Sequence, residues 1–152
     1  MIMASPNFSM DELTHSDTAA RHGIDNTPND NEKENLYKLA MEMEDVRKLL
    51  NNKPIFCSSG FRCVELNTLI GSKKTSAHTE GLACDFVCRK FGSPNEIVFA
   101  IINSKIKFDQ LILEYPDSQS GGWVHISFCE DEETPRRQAL VINKQGTMLY
   151  SD

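Results

Sequence analysis

Hydrophobic positions along this chain change their period several times, and each change marks an element. From Glu32 to Asn51, the residues Leu36, Leu39, Met43, Val46 and Leu50 recur at steps of three and four. Acids and lysines fill the gaps, so the segment predicts an amphipathic helix, which Pro54 is expected to end. Ile55 to Ser58 predicts a short strand, and Cys63 to Ile70 a helix closed by Gly71. Leu82 to Cys88 alternates as a strand, with Ala83, Asp85 and Val87 on one side. Ser93-Pro94-Asn95-Glu96 joins a capping box to a first-turn proline, so another helix follows, with Ile97, Ile101 and Ile102 as its buried stripe. Phe108 to Tyr115 and Trp123 to Cys129 read as strands on either side of a loop rich in Pro, Ser and Gly. Gln138 to Ile142 and Thr147 to Tyr150 read as a hairpin around Asn143 to Gly146. Near the start, Ser9 to Glu12 is a capping box for a short helix. Thr14 to Asn31 is polar, broken by Gly23 and Pro28, and reads as loop or short turns.

These elements sum to an α+β fold, a small, mostly antiparallel sheet with flanking helices. A chain of 152 residues is expected to form a single domain, 1–152. Within it, 6–31 is expected to pack as an N-terminal segment on a catalytic core of 32–130, with 131–152 as a C-terminal hairpin.

Charge and cysteine usage narrow the function classes. A formal charge of −6 argues against a nucleic-acid partner, which calls for clustered Lys and Arg. No run of 18 apolar residues exists, so no membrane insertion is expected. The opening MIMASPNFSMDEL has no basic region followed by an apolar one. No signal peptide is therefore expected, and the protein is expected in the cytoplasm, as a monomer. Five cysteines, an odd number, read as reduced thiols. Cys84 and Cys88 flank Asp85, but on a strand they share the opposite face, so they read as small buried hydrophobes.

Candidate chemistry lies in two strings, SAHTEGLACDF (Ser76 to Phe86) and GWVHISF (Gly122 to Phe128). His78, Asp85 and His125 supply two imidazoles and one carboxylate, a sufficient set for one catalytic Zn2+ that keeps its fourth position for water. Such an ion lowers the pKa of water towards ~7 and makes the protein a metal-dependent hydrolase. Gly81 is expected to permit a tight approach between His78 and the strand carrying Asp85. Ser76 is expected to orient a ligand or close the loop. His15 and His22 lie in the polar N-terminal region and are expected to face solvent.

SAHTEGLACDF resembles the motif S-x-H-x-x-G-x-A-x-D followed by Phe or Ile, found in the D-Ala-D-Ala carboxypeptidase group of zinc peptidases, peptidase family M15. It matches at every fixed position. SSGFRC (Ser58 to Cys63) is similar to that family's S-G-Y/F-R element, and FDQLILEY and GWVHISF resemble its closing strands. MDELTHSDTAARHGIDNTP resembles an N-terminal segment of its short phage and prophage members. The resemblance covers roughly residues 6 to 130. It implies the fold shared with the hedgehog signalling domain, with a single zinc site held by His78, Asp85 and His125. It also implies hydrolysis of peptidoglycan stem peptides, as an L-Ala-D-Glu endopeptidase or a D-Ala-D-Ala carboxypeptidase, in a phage or prophage lysis enzyme released to the cell wall. Arg62 would bind a substrate carboxylate, a task that suits its planar fork, and Ser76 stands with it as a substrate-side residue.

One position departs from the pattern. Many family members carry a glutamate three residues before the last histidine, where this chain has Gly122. Glu114 is the expected substitute as catalytic acid/base, with Asp109 and Asp117 as weaker candidates. That role requires Glu114 and His125 to share a face of the sheet, and a one-residue slip would turn Glu114 away. The alternative to an enzyme is a non-catalytic, zinc-containing module that binds wall peptides or a protein partner.

Overall fold

Two short strands, β1 (Met3–Ser5) and β2 (Phe8–Ser9), lead into helix α1 (Met10–Thr14). Ser9 Oγ caps α1 by accepting from the N–H of Glu12 at 3.0 Å. The Glu12 carboxylate turns back towards the N–H of Ser9 and also accepts from the N–H of Cys57. Helix α2 (Asp17–Arg21), capped by Ser16, occupies part of the stretch expected to be loop. Helix α3 (Asp30–Leu49) starts two residues before the expected Glu32, since Asn29 and Glu32 form a complete capping box there. Its end precedes Pro54: Leu50 is the C-cap, and Asn51 and Asn52 then take left-handed φ of 60° and 58°. Asparagine tolerates that region, so the proline follows a helix that has already stopped.

Strand β3 (Phe56–Ser59), helix α4 (Val64–Ile70), a 3-10 turn (Ala77–Glu80) and strand β4 (Ala83–Val87) come next. Helix α5 (Pro94–Ile102) has the expected capping box of Ser93 and Glu96. Strands β5 (Gln110–Glu114), β6 (Trp123–Ser127), β7 (Gln138–Asn143) and β8 (Gly146–Leu149) complete the chain. The structure is a computed structural model that describes residues 1–73, 75–130 and 134–151.

Six strands form one mixed sheet in the order β3-β4-β6-β5-β7-β8. Every pair is antiparallel except β5 and β7. β6 returns along one edge of β5, and the chain then crosses to the other edge, where β7 must run parallel to it. The C-terminal hairpin therefore extends the main sheet.

Alternation divides the sheet into two faces. Cys57, Cys84, Phe86, Leu111, Leu113, Val124 and Ile126 point to one side and join a single buried core with α3 and α5. Leu36, Leu39, Met43 and Val46 of α3 are fully buried in it, each worth about 1.5–3 kcal/mol relative to exposure. The opposite face carries Asp85, Ile112, Glu114, Trp123 and His125.

The N-terminal segment is tied down by polar groups. Glu44 of α3 is buried, and its carboxylate accepts from Ser5 Oγ at 2.6 Å and from the backbone and side-chain nitrogens of Asn7 at 2.7 and 2.8 Å. Asn26 spans two segments: its amide donates to the carbonyls of Thr14 and Phe61, and its oxygen accepts from the N–H of Cys63.

Candidate active site

The strand register builds the site. Asp85 on β4 pairs directly with His125 on β6, and His125 pairs with Ile112 on β5. One step along, Trp123 pairs with Glu114. Directly opposed residues share a face, as do residues two apart on one strand. Asp85, His125, Trp123 and Glu114 therefore all face the open side of the sheet, the register that a role for Glu114 requires.

His78 reaches this face from the 3-10 turn before β4. Ser76 caps that turn, its Oγ accepting from the N–H of His78 at 3.3 Å, so Ser76 closes the loop. Gly81 ends the turn with φ 77°. A Cβ there would meet the Glu32 carbonyl at 2.8 Å and the Leu36 side chain at 3.2 Å. Gly81 thus also permits a close approach to α3.

His78, Asp85 and His125 converge. Asp85 Oδ1 lies 3.1 Å from His78 Nε2 and 3.0 Å from His125 Nδ1. The three donor atoms all lie within 4.8 Å of one another, and they are the one group of this kind among the described residues. The two rings sit edge to face, with centroids 5.1 Å apart. Burial works against a charge on Asp85, yet the two imidazoles hold its carboxyl well below the usual carboxylate range. Burial pushes the His78 pKa down, against the pull of Asp85.

The hydrogen bonding of His78 tests whether these residues fit a cation. Its Nδ1 lies 2.7 Å from the Gly60 carbonyl, which can only accept, so Nδ1 carries the proton. In the neutral ring that burial favours, Nε2 is then a lone pair facing the Asp85 carboxylate. Two acceptors 3.1 Å apart repel unless a positive charge lies between them. Two imidazoles and a carboxylate around such a point fit a divalent metal, with Gly60 fixing the ring orientation of one ligand.

Glu114 stands beside this cluster. Burial, then the negative charge of Asp85, push its carboxyl up to about 6, although His125, Trp123 and Arg62 pull the other way. Gly122 has no room for a glutamate side chain. Its φ is 78°, and a Cβ would collide with the carbonyl oxygen of Glu114. Chain reversal between β5 and β6 uses this close contact, so the carboxylate comes from β5 instead. Asp109 is engaged in a two-point ion pair with Arg136, at 3.0 and 2.7 Å. Asp117 is exposed in the β5–β6 turn. His15 and His22 are exposed as expected.

Arg62 is held by its backbone, whose N–H donates to the His78 carbonyl at 3.0 Å. Burial lowers its pKa, and the charges of Asp85 and Glu114 raise it. Its Nε is buried without a hydrogen-bond partner among the described residues, and the buried indole of Trp123 is directed at the Glu114 carboxylate. A groove of about 850 Å³ runs over the face, with Arg62, Ser76, His78, Ile112 and His125 in its lining. A second groove of about 520 Å³ lies towards the β3 edge, lined in part by Phe56, Val87, Arg89, Lys90 and Trp123.

Sequence reasoning missed two parts of this arrangement. The Gly60 carbonyl is a backbone group and leaves no side-chain signal. Asn26, which holds the Phe61–Cys63 stretch around Arg62, lies in a polar segment that reads as loop.

Comparison with known proteins agrees with the geometry. No curated protein matches the chain. A family model described as Peptidase M15 matches residues 6–127. That match spans most of the chain and includes the His-Asp-His cluster, Arg62 and Glu114, and the chain belongs to the peptidase M15 family of metal-dependent peptidases.

Proposed function

We propose that the protein is a zinc-dependent peptidase that hydrolyses bonds of bacterial peptidoglycan stem peptides. The observation that carries the reading is the convergence of His78, Asp85 and His125, with Glu114 on the same face of the sheet. The donor set suits zinc, two imidazoles and one carboxylate leaving room for substrate. A zinc ion held there would supply Lewis acidity and make water more acidic.

The chain's own residues would do the rest. Glu114, with a carboxyl near neutrality, is suited to take a proton from the attacking water and hand it to the leaving amine. Arg62, with a buried donor that lacks a partner among the described residues, would take a substrate carboxylate. Stem peptides are short, acidic and extended, and the open sheet face with basic residues towards both grooves would accommodate them. Ser76 would hold the His78 turn at the substrate side. Carboxypeptidase action on D-Ala-D-Ala and endopeptidase action on L-Ala-D-Glu are the two forms of this chemistry. A phage or prophage lysis enzyme, acting on the wall as a monomer, is the setting in which we place it.

The test is mass spectrometry of fragments released from purified peptidoglycan, with and without a zinc chelator. Chelator-sensitive release of defined peptides is expected, and their new termini identify the bond. Zinc-loaded, folded protein that releases nothing from several wall types would overturn the reading in favour of a binding module.

A further inference from the structure

Behind the site, on the core side of the same strands, lies a pair of side chains that peptide hydrolysis does not use. Cys57 on β3 and Cys84 on β4 place their sulfur atoms 3.0 Å apart. Both side chains are buried among apolar neighbours. In the ladder, Cys57 is level with Phe86, two residues from Cys84 and on the same face. The register shifts between Cys57 and Ser59, and this bulge bends β3 beside the cysteine pair.

Other roles for the pair fit poorly. Neither sulfur belongs to a group of metal-ligating side chains among the described residues. Cys88 is separate, its sulfur directed at the Lys53 carbonyl. Cys63 and Cys129 are half-buried elsewhere.

We propose that Cys57 and Cys84 are a disulfide-forming pair, closed when the protein meets a disulfide oxidant such as oxidised glutathione. A disulfide bond of ~2.05 Å requires the sulfurs to approach by about 1 Å more. In the first step the Cys57 sulfur attacks the oxidant and forms a mixed disulfide, releasing one reduced thiol. In the second, Cys84 attacks the Cys57 sulfur and releases the other. The two protons and two electrons of the cysteine thiols leave with the two reduced molecules. β3 is the edge strand, so local opening exposes Cys57 without dismantling the sheet.

The cross-link would join two segments that matter to the cluster. Cys84 directly precedes Asp85, and Cys57 lies three residues before Gly60, whose carbonyl holds His78. Closing the pair fixes β3 against β4 from behind the site while leaving the open face unaltered. This inference is independent of the substrate assigned above.

The test treats the full-length protein with oxidised glutathione, alkylates the remaining thiols under denaturing conditions, and maps peptides without reduction. We expect a Cys57–Cys84 linked peptide and alkylation of the other three cysteines. We also expect a thermal midpoint roughly 10 °C above that of the dithiothreitol-treated form, a shift absent in Cys57→Ser and retained in Cys63→Ser. Five alkylated cysteines after oxidation, a link between other cysteines, or a midpoint shift that survives Cys57→Ser would each overturn the proposal.

Discussion

The Gly60 carbonyl and the His78 ring are 2.7 Å apart, and this one contact decides which nitrogen of His78 faces Asp85. A backbone acceptor commits Nδ1 to donation and turns the Nε2 lone pair towards a carboxylate that burial and two imidazoles surround. The folded chain thus holds like electrostatic ends together, which a bound cation relieves. Metal binding is therefore expected to stabilise the fold.

The direct measure of that coupling is thermal unfolding with zinc and with chelator. At a free metal concentration ~1,000 times its Kd, the stabilisation is about 4 kcal/mol, or roughly 10 °C in midpoint for a chain of this size. Asp85→Asn should lose most of the shift, because it keeps the shape and removes the charge. A wild-type midpoint that ignores chelator would contradict a metal site here.

Glu114 gives a prediction with a definite pH sign. Its folded carboxyl is raised to about 6 from an ordinary 4.5. The folded state therefore holds this proton more tightly than the unfolded state, and the associated stability is full below pH 4.5 and lost as pH rises through about 6. The loss amounts to about 2 kcal/mol, at 1.36 kcal/mol per unit. In the metal-free protein, Glu114→Gln should be more stable than wild type at pH 7.5, and the difference should vanish towards pH 4. Urea unfolding across that range measures it. In the zinc-loaded protein the same variant should keep its metal and lose about 100- to 10,000-fold in hydrolysis. Undiminished hydrolysis would remove Glu114 from the mechanism.

Gly122→Glu places a glutamate three residues before His125, and it should fail. Any side chain there meets the Glu114 carbonyl at a left-handed backbone position. A cost of at least about 2 kcal/mol is expected, with no rescue of hydrolysis when combined with Glu114→Gln. A double variant with restored activity would show that the β5–β6 turn can be rebuilt.

Much of this layout can be read from the chain, and what cannot has a physical reason. α3 announces itself by a 3.6-residue period, and α5 by its capping box with proline. His78, Asp85 and His125 stand out because their residue types and surrounding strings are specific. The parallel pairing of β5 with β7 is invisible locally, since it depends on which edge of β5 the chain reaches after β6. The facing of Glu114 depends on ladder register, which rests on the turn where Gly121 and Gly122 both take positive φ. The meeting of Cys57 and Cys84 depends on a bulge in an edge strand. Each of these is a property of pairing between distant segments, and periodicity within one segment carries no record of it.

Asn26 shows how far support for the site extends beyond the residues that touch a substrate. Its side chain makes three hydrogen bonds, to the carbonyls of Thr14 and Phe61 and from the N–H of Cys63. Two of the three bracket Arg62, whose buried Nε has no hydrogen-bond partner among the described residues. Asn26→Ala leaves these backbone groups to water or unpaired, at a cost of about 1–3 kcal/mol. Because Arg62 touches the substrate in the proposed mechanism and Asn26 does not, the functional effect should be on substrate binding. We expect KM for a defined stem peptide to rise several-fold with kcat within about twofold of wild type, since Glu114 and the metal ligands belong to other strands and turns. Asn26→Asp should retain the oxygen that accepts from Cys63 but set its second oxygen against the carbonyls of Thr14 and Phe61, and so be no more stable than Asn26→Ala. A drop confined to kcat, with KM unchanged, would instead tie Asn26 to the His78 turn through the Arg62 N–H and His78 carbonyl, and would move its influence from the substrate side of the groove to the metal side.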